Sequence, residues 1–458
     1  MKRKLIALAA AGFLIFAFTG VCLAEPELSV TGWFRARSYW VPNIALDKTS
    51  TRERTYSEQR LILDPVLKIT DAIQIKMRLR VLDHIWGYQG MPHFTFAQQI
   101  TETGERSPAD PNSNFTWDRA WVAISLGKYG LLQIGRMDCS LPLEVAVSKD
   151  DTYPRYNWMA PAIKMPESIG GILLTGLLYD KREEQDIDRT FGVPPAFWTP
   201  HGNPCNEVTA FCPWFYLLAR NFKVFYAWFP FIFHYPESIG GNTIVHFHDL
   251  EIEAKLGPVN LESEFTILPG ELYPDVKTVN VYWLYVDLSV PVEEEAVPVS
   301  KVAVQVGYAG GCVDPATHPE NVYAGTSPFT LTKSGLWGMN KDFDVDLILW
   351  DQIYASVRNA MYIRARVDFK TPVEKLGGYL AGIYSVADQY ARFQPPASVP
   401  TTMGDEKNMG FEINLGISYA PAEKSSIVLG LGYFMPGKYF AEPRDGTLAA
   451  TVKTNIRF

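Results

Sequence analysis

Hydrophobic and polar residues alternate along many short stretches of this chain. In AIQIKMRLRV, residues 72 to 81, every second residue from Ile73 to Val81 is apolar, and the residues between them are polar or charged. MYIRARVDFK, residues 361 to 370, repeats the pattern with Arg364 and Arg366 on its polar side. Because successive side chains of a strand point to opposite faces, each stretch predicts a β-strand with one apolar and one polar face.

Turn signals separate these stretches in a regular order. Short turns are predicted at residues 70–71, 127–130, 167–171, 219–221, 257–260, 291–300, 373–378 and 421–426, with longer loops between them. The spacing gives roughly 18 strands, with about 16 as the alternative, joined by short turns and long loops in alternation. Strands whose apolar face lies against lipid must close into a barrel, since lipid cannot hydrogen-bond an open edge. The pattern therefore predicts an all-β fold, a transmembrane antiparallel β-barrel.

One stretch could instead be a membrane-spanning helix. Residues 213 to 233, PWFYLLARNFKVFYAWFPFIF, have the length of about 20 residues that a helical span needs, but Arg220, Asn221 and Lys223 interrupt the apolar run. We interpret this stretch as two strands and a turn. A single barrel domain over residues 25–458 is therefore expected.

The first residues predict export from the cytoplasm. Lys2, Arg3 and Lys4 precede an uncharged apolar run, and Ala24 ends it just before an acidic segment. This order predicts a secretory signal peptide over residues 1–24; lipidation at Cys22 is the alternative. Cleavage changes the balance of basic and acidic residues from 42 − 50 to 39 − 50, so the mature chain is acidic by 11. Such a balance argues against a nucleic-acid partner.

The last residues, TLAATVKTNIRF, alternate again and finish in Phe458. A final strand that ends in Phe resembles the signal that the barrel-assembly machinery reads in bacterial outer-membrane barrels, and the Arg-rich strand faces resemble porins. A weaker resemblance, through LGLGYFMPGKYF at residues 429–440, is to the alginate-export outer-membrane family. The resemblance implies a location in outer-membrane lipid and a channel for small hydrophilic solutes, as a monomer or a homo-oligomer.

Charged residues on the polar faces divide by sign along the chain. The basic residues expected to line the lumen are Arg35, Arg37, Arg60, Arg78, Arg80, Arg119, Arg358, Arg364, Arg366, Lys453 and Arg457. The acidic ones are Asp249, Glu251, Glu253, Glu262 and Glu264. Because closure makes the first and last strands neighbours, we expect a basic arc, with Arg364 and Arg366 beside Arg35 and Arg37, opposite an acidic arc. The field across such a lumen would orient dipolar solutes and disfavour apolar ones, and we expect diffusion of small hydrophilic, anionic solutes. In the alternative, the charges pair and brace a closed structural or surface-interaction barrel.

Two predictions concern the loops. In porins the loop at the position of residues 139–157 folds inward, so the resemblance implies a constriction there with Glu144, Asp150 and Asp151; an ordinary surface loop is the alternative. Cys205 and Cys212 lie close together in the sequence of an exported chain, which predicts a disulfide. The sequence has no C-x-x-C pair, so a thiolate metal site is not expected.

Signatures of enzymes are absent from the sequence, which contains no G-x-S-x-G, H-E-x-x-H or phosphate-loop motif. His246 and His248 share one strand face, but that face continues with Leu250 and Ile252 and is therefore predicted to contact lipid. We expect interfacial histidines there, with no metal and no cofactor. An outer-membrane enzyme, similar to a lipid hydrolase, is the alternative and needs a Ser or Asp partner on a neighbouring strand.

Overall fold

The computed structural model describes residues 26–46, 48, 53–86, 115–138, 152–183, 207–235, 241–273, 276–278, 282–294, 297–310, 345–353, 357, 360–388 and 406–458. The predicted signal peptide, residues 1–24, lies outside these ranges, as do Arg358, Cys205 and most of the predicted constriction loop. None of the helices in the described ranges is long and apolar enough to cross a membrane.

Eighteen long strands form the wall. They are β1 Glu27–Val41, β2 Arg54–Lys68, β3 Ile73–Trp86, β4 Phe115–Ser125, β5 Leu131–Asp138, β6 Thr152–Met159, β7 Gly171–Glu183, β8 Glu207–Ala219, β9 Phe222–His234, β10 Thr243–Leu256, β11 Val259–Ile267, β12 Tyr282–Pro291, β13 Val299–Ala309, β14 Ala360–Lys370, β15 Leu376–Ala387, β16 Asn408–Tyr419, β17 Ser425–Pro436 and β18 Thr447–Arg457. Three short strands extend the sheet at Ile163–Lys164, Gly270–Tyr273 and Val276–Thr278.

Each long strand pairs antiparallel with the next, and β18 pairs with β1. In that last pairing Arg37 lies opposite Lys453 and Arg35 opposite Asn455. The structure thus confirms the predicted all-β barrel of 18 strands, closed and antiparallel. The stretch 213–233 forms parts of β8 and β9 joined by a turn, as its three interrupting polar residues predicted.

Burial alternates along the strands and distinguishes the two faces of the wall. On β14, Tyr362 is 1% exposed, whereas its neighbours Met361 and Ile363 are 49% and 50% exposed. The exposed apolar parity forms the outer face of the barrel, and Tyr362, Arg364 and Arg366 share the inner face. This alternation is what a wall between lipid and an interior requires.

The two ends of the barrel differ in their connections. At one end, which we call the short-turn end, tight turns join Lys68 to Ile73 and Leu256 to Val259. At the other, the long-loop end, the connections are mostly longer, as between Ala309 and Ala360. Both the start of β1 and the end of β18 lie at the short-turn end, as an even number of strands requires.

The interior contains the hydrophobic core. Inner-face aromatic residues of β9, such as Phe229 and Phe233, belong to the same buried cluster as residues 345–353 from the connection between β13 and β14. We call residues 345–353 the inner segment. Val345 and Leu349 are each 1% exposed. The segment therefore lies inside the barrel, against the wall, and occupies part of its lumen.

Candidate channel lumen

The basic residues of β1 lie on its inner face, where two guanidinium groups share one carboxylate. Arg35 Nη2 is 3.7 Å and Arg37 Nη1 is 3.6 Å from Glu58 Oε1 on β2. Arg35 also lies over the ring of Trp33, with 5.4 Å from its guanidinium carbon to the ring centre. Both arginines remain partly exposed, at 17% and 19% of their side chains. These contacts place two guanidinium groups and one carboxylate together on the inner wall.

The basic arc continues on β3 and β4, where arginine side chains pair with aspartates. Arg78 donates to both carboxylate oxygens of Asp64, at 2.6 and 3.1 Å. Arg80 Nη2 donates to Asp118 Oδ1 at 3.3 Å, and Arg119 Nε lies 3.9 Å from the other oxygen. An irregularity in the pairing of β3 with β4 turns both Asp118 and Arg119 inward, where both are buried. These pairs fix the arginine side chains on the wall.

Other predicted basic residues complete this arc in part. Arg60 is buried opposite Arg35, and Lys453 lies half-buried opposite Arg37. Arg457 is exposed at the short-turn end. A buried pair further along the wall was missed from sequence, Arg155 on β6 with Asp180 on β7, whose Nε and Oδ2 atoms are 3.4 Å apart. Opposite charges on neighbouring strands were the available signal, but their register could not be read from sequence.

The acidic arc lies on the other side of the barrel. Asp249, Glu251 and Glu264 are all 2% exposed or less, and Asp249 accepts a 2.6 Å hydrogen bond from Thr266. Nearer the short-turn end, Glu253 lies opposite Glu262, with Lys223 beside Glu253 as an ion-pair partner.

One member of the acidic arc was missed from sequence. Asp287 on β12 lies opposite Glu262, so it extends the row of carboxylates by one strand. Asp287 was detectable as the one charged residue in VYWLYVDLSV. Because β2 and β11 are nine strands apart in a ring of eighteen, the two arcs face each other across the lumen.

One predicted neighbourhood is wrong. Arg364 and Arg366 were expected beside Arg35 and Arg37, but β15, β16, β17 and β18 separate β14 from β1. Arg366 instead donates to Asp368 at 2.6 and 2.9 Å and lies 4.2 Å from the ring centre of Tyr379. Arg364 is aligned through Gln305 with Asp287, so these arginines border the acidic arc. Closure joins only the first and last strands, and β14 is too far from the end.

Glu412 on β16 holds the inner segment. Its Oε1 accepts the backbone N–H groups of Leu347 and Ile348 at 2.9 and 3.1 Å, and its Oε2 accepts that of Leu349 at 3.0 Å. Successive N–H groups that converge on one anion form a nest, an arrangement that binds carboxylates well. Trp350 Nε1 adds a 3.3 Å bond to Ser385 on β15. The segment is therefore fixed to the wall by hydrogen bonds as well as by apolar contact.

Two glycines of β17, Gly430 and Gly432, lie on the wall beneath the segment. A Cβ atom at Gly430 on β17 would lie 3.1 Å from Leu347, and one at Gly432 would lie 3.3 Å from Leu347 and 3.4 Å from Ile348. Within the segment, Asp346 accepts the N–H groups of Trp350 and Asp351 at 2.9 and 3.3 Å. Burial, together with the charge of Glu412, raises the pKa of Asp346 well above its ordinary value.

The far end of the inner segment contacts β2, one of the strands that carry the basic arc. Arg54 Nη1 donates to the carbonyl oxygen of Gln352 at 2.5 Å, and the Gln352 side chain donates to the Tyr56 hydroxyl at 3.2 Å. Both wall residues belong to β2. The segment thus runs from β16 towards β2 and narrows the lumen near the arginines of β1. Sequence reasoning missed Glu412 and this segment, although the apolar run in FDVDLILW was a signal.

The predicted constriction loop and disulfide are only partly within the described residues. Glu144, Asp150 and Asp151 lie outside them, and residues 152–157 belong to β6, so the loop is shorter than the range 139–157. Cys212 is buried on the inner face of β8 opposite Leu178, and Cys205 is outside the described ranges. Both the constriction by this loop and the Cys205–Cys212 bond stay predictions.

Solved structures similar to this chain include several porins. A BenF-like porin from Pseudomonas fluorescens Pf-5 aligns with a TM-score of 0.51 at 11% identity, over 94% of this chain and 99% of that one. OpdQ of Pseudomonas aeruginosa aligns with a TM-score of 0.49 at 11% identity, over 95% and 98%. An anion-selective porin from Comamonas acidovorans gives 0.43 at 10% identity, over 95% and 100%.

Sequence comparison adds no family to this likeness. No family model and no curated protein matches the chain. The resemblance of residues 429–440 to the alginate-export family therefore stays a prediction. At 11% identity, the likeness to the BenF-like porin concerns the fold alone, a closed antiparallel β-barrel.

Proposed function

We propose that this barrel lies in the bacterial outer membrane and is a channel for the diffusion of small hydrophilic solutes, with a preference for anions. The observation that carries the proposal is the charged inner wall of a closed barrel with 18 strands. A ring of about 18 strands is too wide for its own wall side chains to fill, which leaves room for a solute path beside the inner segment.

The anion preference is argued from which charges a solute can reach. Three carboxylates of the acidic arc, Asp249, Glu251 and Glu264, are buried, whereas the side chains of Arg35 and Arg37 are partly exposed. A charge in confined water acts more strongly on a passing ion than the same charge in bulk water. Accessible cations therefore favour anions, while Glu253 and Glu262 oppose this preference from the other arc.

Recording single channels in a planar bilayer tests this proposal. The purified protein is expected to produce discrete conductance steps. In a KCl gradient, the reversal potential is expected to have the sign of a channel that passes chloride better than potassium. A barrel that inserts without conducting would support the structural alternative. A reversal potential of the opposite sign would still show that the protein conducts ions, but it would contradict the preference for anions.

Phe458 is proposed as the signal for assembly by the outer-membrane machinery. Its backbone N–H and C=O groups exchange two 3.0 Å hydrogen bonds with Gly32, and its ring is 52% exposed. Those bonds close the short-turn end, whereas the exposed side chain contributes little to packing. Deletion of Phe458 is therefore expected to lower the amount of assembled barrel. The conductance of assembled molecules should be unchanged. Quantifying the heat-modifiable folded band in outer-membrane fractions measures the first effect, and equal amounts with and without Phe458 would contradict the proposal.

A further inference from the structure

Four aromatic and imidazole rings form a cluster on the outer face of β9 and β10. The Trp228 ring centre lies 5.8 Å from that of His246 and 6.1 Å from that of His248, and the two imidazole centres are 6.2 Å apart. The Tyr226 hydroxyl lies 2.8 Å from His248 Nδ1, and Trp228 Nε1 donates to His246 Nδ1 at 3.2 Å. We call Tyr226, Trp228, His246 and His248 the outer cluster.

The hydrogen bonds of the outer cluster determine what it can offer to a ligand. An indole N–H can only donate, so His246 Nδ1 is an acceptor and its proton is on Nε2. Among the described residues, neither His246 Nε2 nor His248 Nε2 forms a hydrogen bond. The rings are half-buried among exposed apolar residues, including Ile244 and Phe265 at 42% and 38%. The cluster thus presents a fixed N–H donor on a surface that is mostly apolar.

The height of the cluster on the wall indicates which part of a bilayer it meets. Leu256 ends β10 at the short-turn end, and His248 and His246 lie 256 − 248 = 8 and 256 − 246 = 10 residues above it. A tilted barrel strand rises about 2.5 Å per residue along the membrane normal, which places the two rings about 20 and 25 Å above Leu256. The apolar band of an outer-membrane barrel is about 25 Å tall. Taking the exposed Leu256 as the lower edge of that band places the rings at its upper edge, at headgroup level.

We propose that the outer cluster binds the phosphate of a lipid headgroup. A phosphate oxygen accepts the Nε2–H of His246, and the Nε2–H tautomer of His248, whose Nδ1 faces the Tyr226 hydroxyl, supplies a second donor beside it. Hydrogen bonds from an N–H group to an anion are stronger than those between neutral groups. Trp228 and Tyr226 orient the imidazoles, and the surrounding apolar side chains contact the acyl chains of the same lipid. This inference requires only that the barrel lies in a bilayer and does not depend on conduction.

Lipid retention measures this binding directly. The barrel is purified in a mild detergent, incubated with dioleoyl phosphatidylglycerol or with dioleoylglycerol, and the lipids that remain bound are counted by native mass spectrometry. The intact protein is expected to retain the phosphate-bearing lipid in preference to the diacylglycerol. The double variant His246→Phe with His248→Phe, which keeps both rings apolar and stackable but removes their nitrogens, is expected to bind it at least about tenfold more weakly. Equal retention by the intact protein and the double variant would overturn the proposal.

Two comparisons test whether the lipid binds at the outer cluster. The first excludes a general effect of losing a histidine, and the second excludes binding of phosphate alone. His234→Phe is the matched control, because His234 is a histidine of the neighbouring strand β9 that contacts Thr209 rather than the outer cluster. Its lipid retention should equal that of the intact protein. Inorganic phosphate at millimolar concentration should not displace the lipid. Displacement by free phosphate would mean that the acyl chains contribute nothing and would overturn the assignment to a lipid. The heat-modifiable folded band verifies that each variant is a closed barrel.

Discussion

Replacing Glu412 by Ala is expected to raise the single-channel conductance and to admit larger uncharged solutes. The Glu412 carboxylate accepts the backbone N–H groups of Leu347, Ile348 and Leu349, all of which are buried. A buried donor left without an acceptor costs roughly 1–3 kcal/mol, so the population with the inner segment withdrawn from the wall should rise by about tenfold or more. Conductance and the exclusion of polyethylene glycols of graded size measure the result.

Two variants on the same strand make this test specific. Glu412→Gln keeps one oxygen acceptor without the charge, so its conductance should lie between those of the intact protein and Glu412→Ala. Leu415→Ala shortens an exposed side chain on the outer face of β16 and should change neither property. If Glu412→Ala folds and conducts like the intact barrel, the inner segment does not limit the channel, or other contacts such as the Trp350–Ser385 bond suffice to hold it.

The barrel could be predicted because the features that determine it, the alternation within each strand and the turns between strands, are local in the sequence. Alternation with a period of two fixes which face of each strand is apolar, and turns such as Gly257–Pro258 fix where neighbouring strands begin. Even 213–233, apolar on both parities, was interpretable because Arg220, Asn221 and Lys223 mark its turn. The division of charges between the early strands and β10–β11 also followed from parity alone.

What could not be predicted depends on contacts between distant segments. The pairing of Arg78 with Asp64 needs the register between β2 and β3, and the placement of Arg364 needs the number of strands between β14 and β1. The inner segment needs an acceptor, Glu412, that lies 63 to 65 residues away in the chain. An apolar run in a long loop signals burial, but the sequence does not say against which strand. The alternating pattern therefore predicted the barrel wall, whereas the arrangement of side chains in the lumen depends on hydrogen bonds between residues far apart in the sequence.

Changing Arg35 and Arg37 together to Gln is expected to move the reversal potential towards that of cations while the barrel still assembles. The two guanidinium groups lie beside Glu58 on the inner wall, so the double change removes two positive charges from this part of the wall and keeps the carboxylate. The shift should be large at 0.1 M salt, where the Debye length is about 10 Å, and small at 1 M, where it is about 3 Å. Reversal potentials recorded across a KCl gradient at both mean concentrations measure it.

Ala36, between these two arginines, provides the matched control, because its side chain is on the outer face of β1. Ala36→Arg adds a charge to the lipid side, which costs roughly 2–4 kcal/mol near the middle of a bilayer, so assembly should fall. Channels that do assemble should keep the selectivity of the intact protein, since the wall separates the new charge from the lumen. The opposite pattern, with unaltered selectivity in the double Gln variant or altered selectivity in Ala36→Arg, would mean that the arginines of β1 do not select the ions that pass.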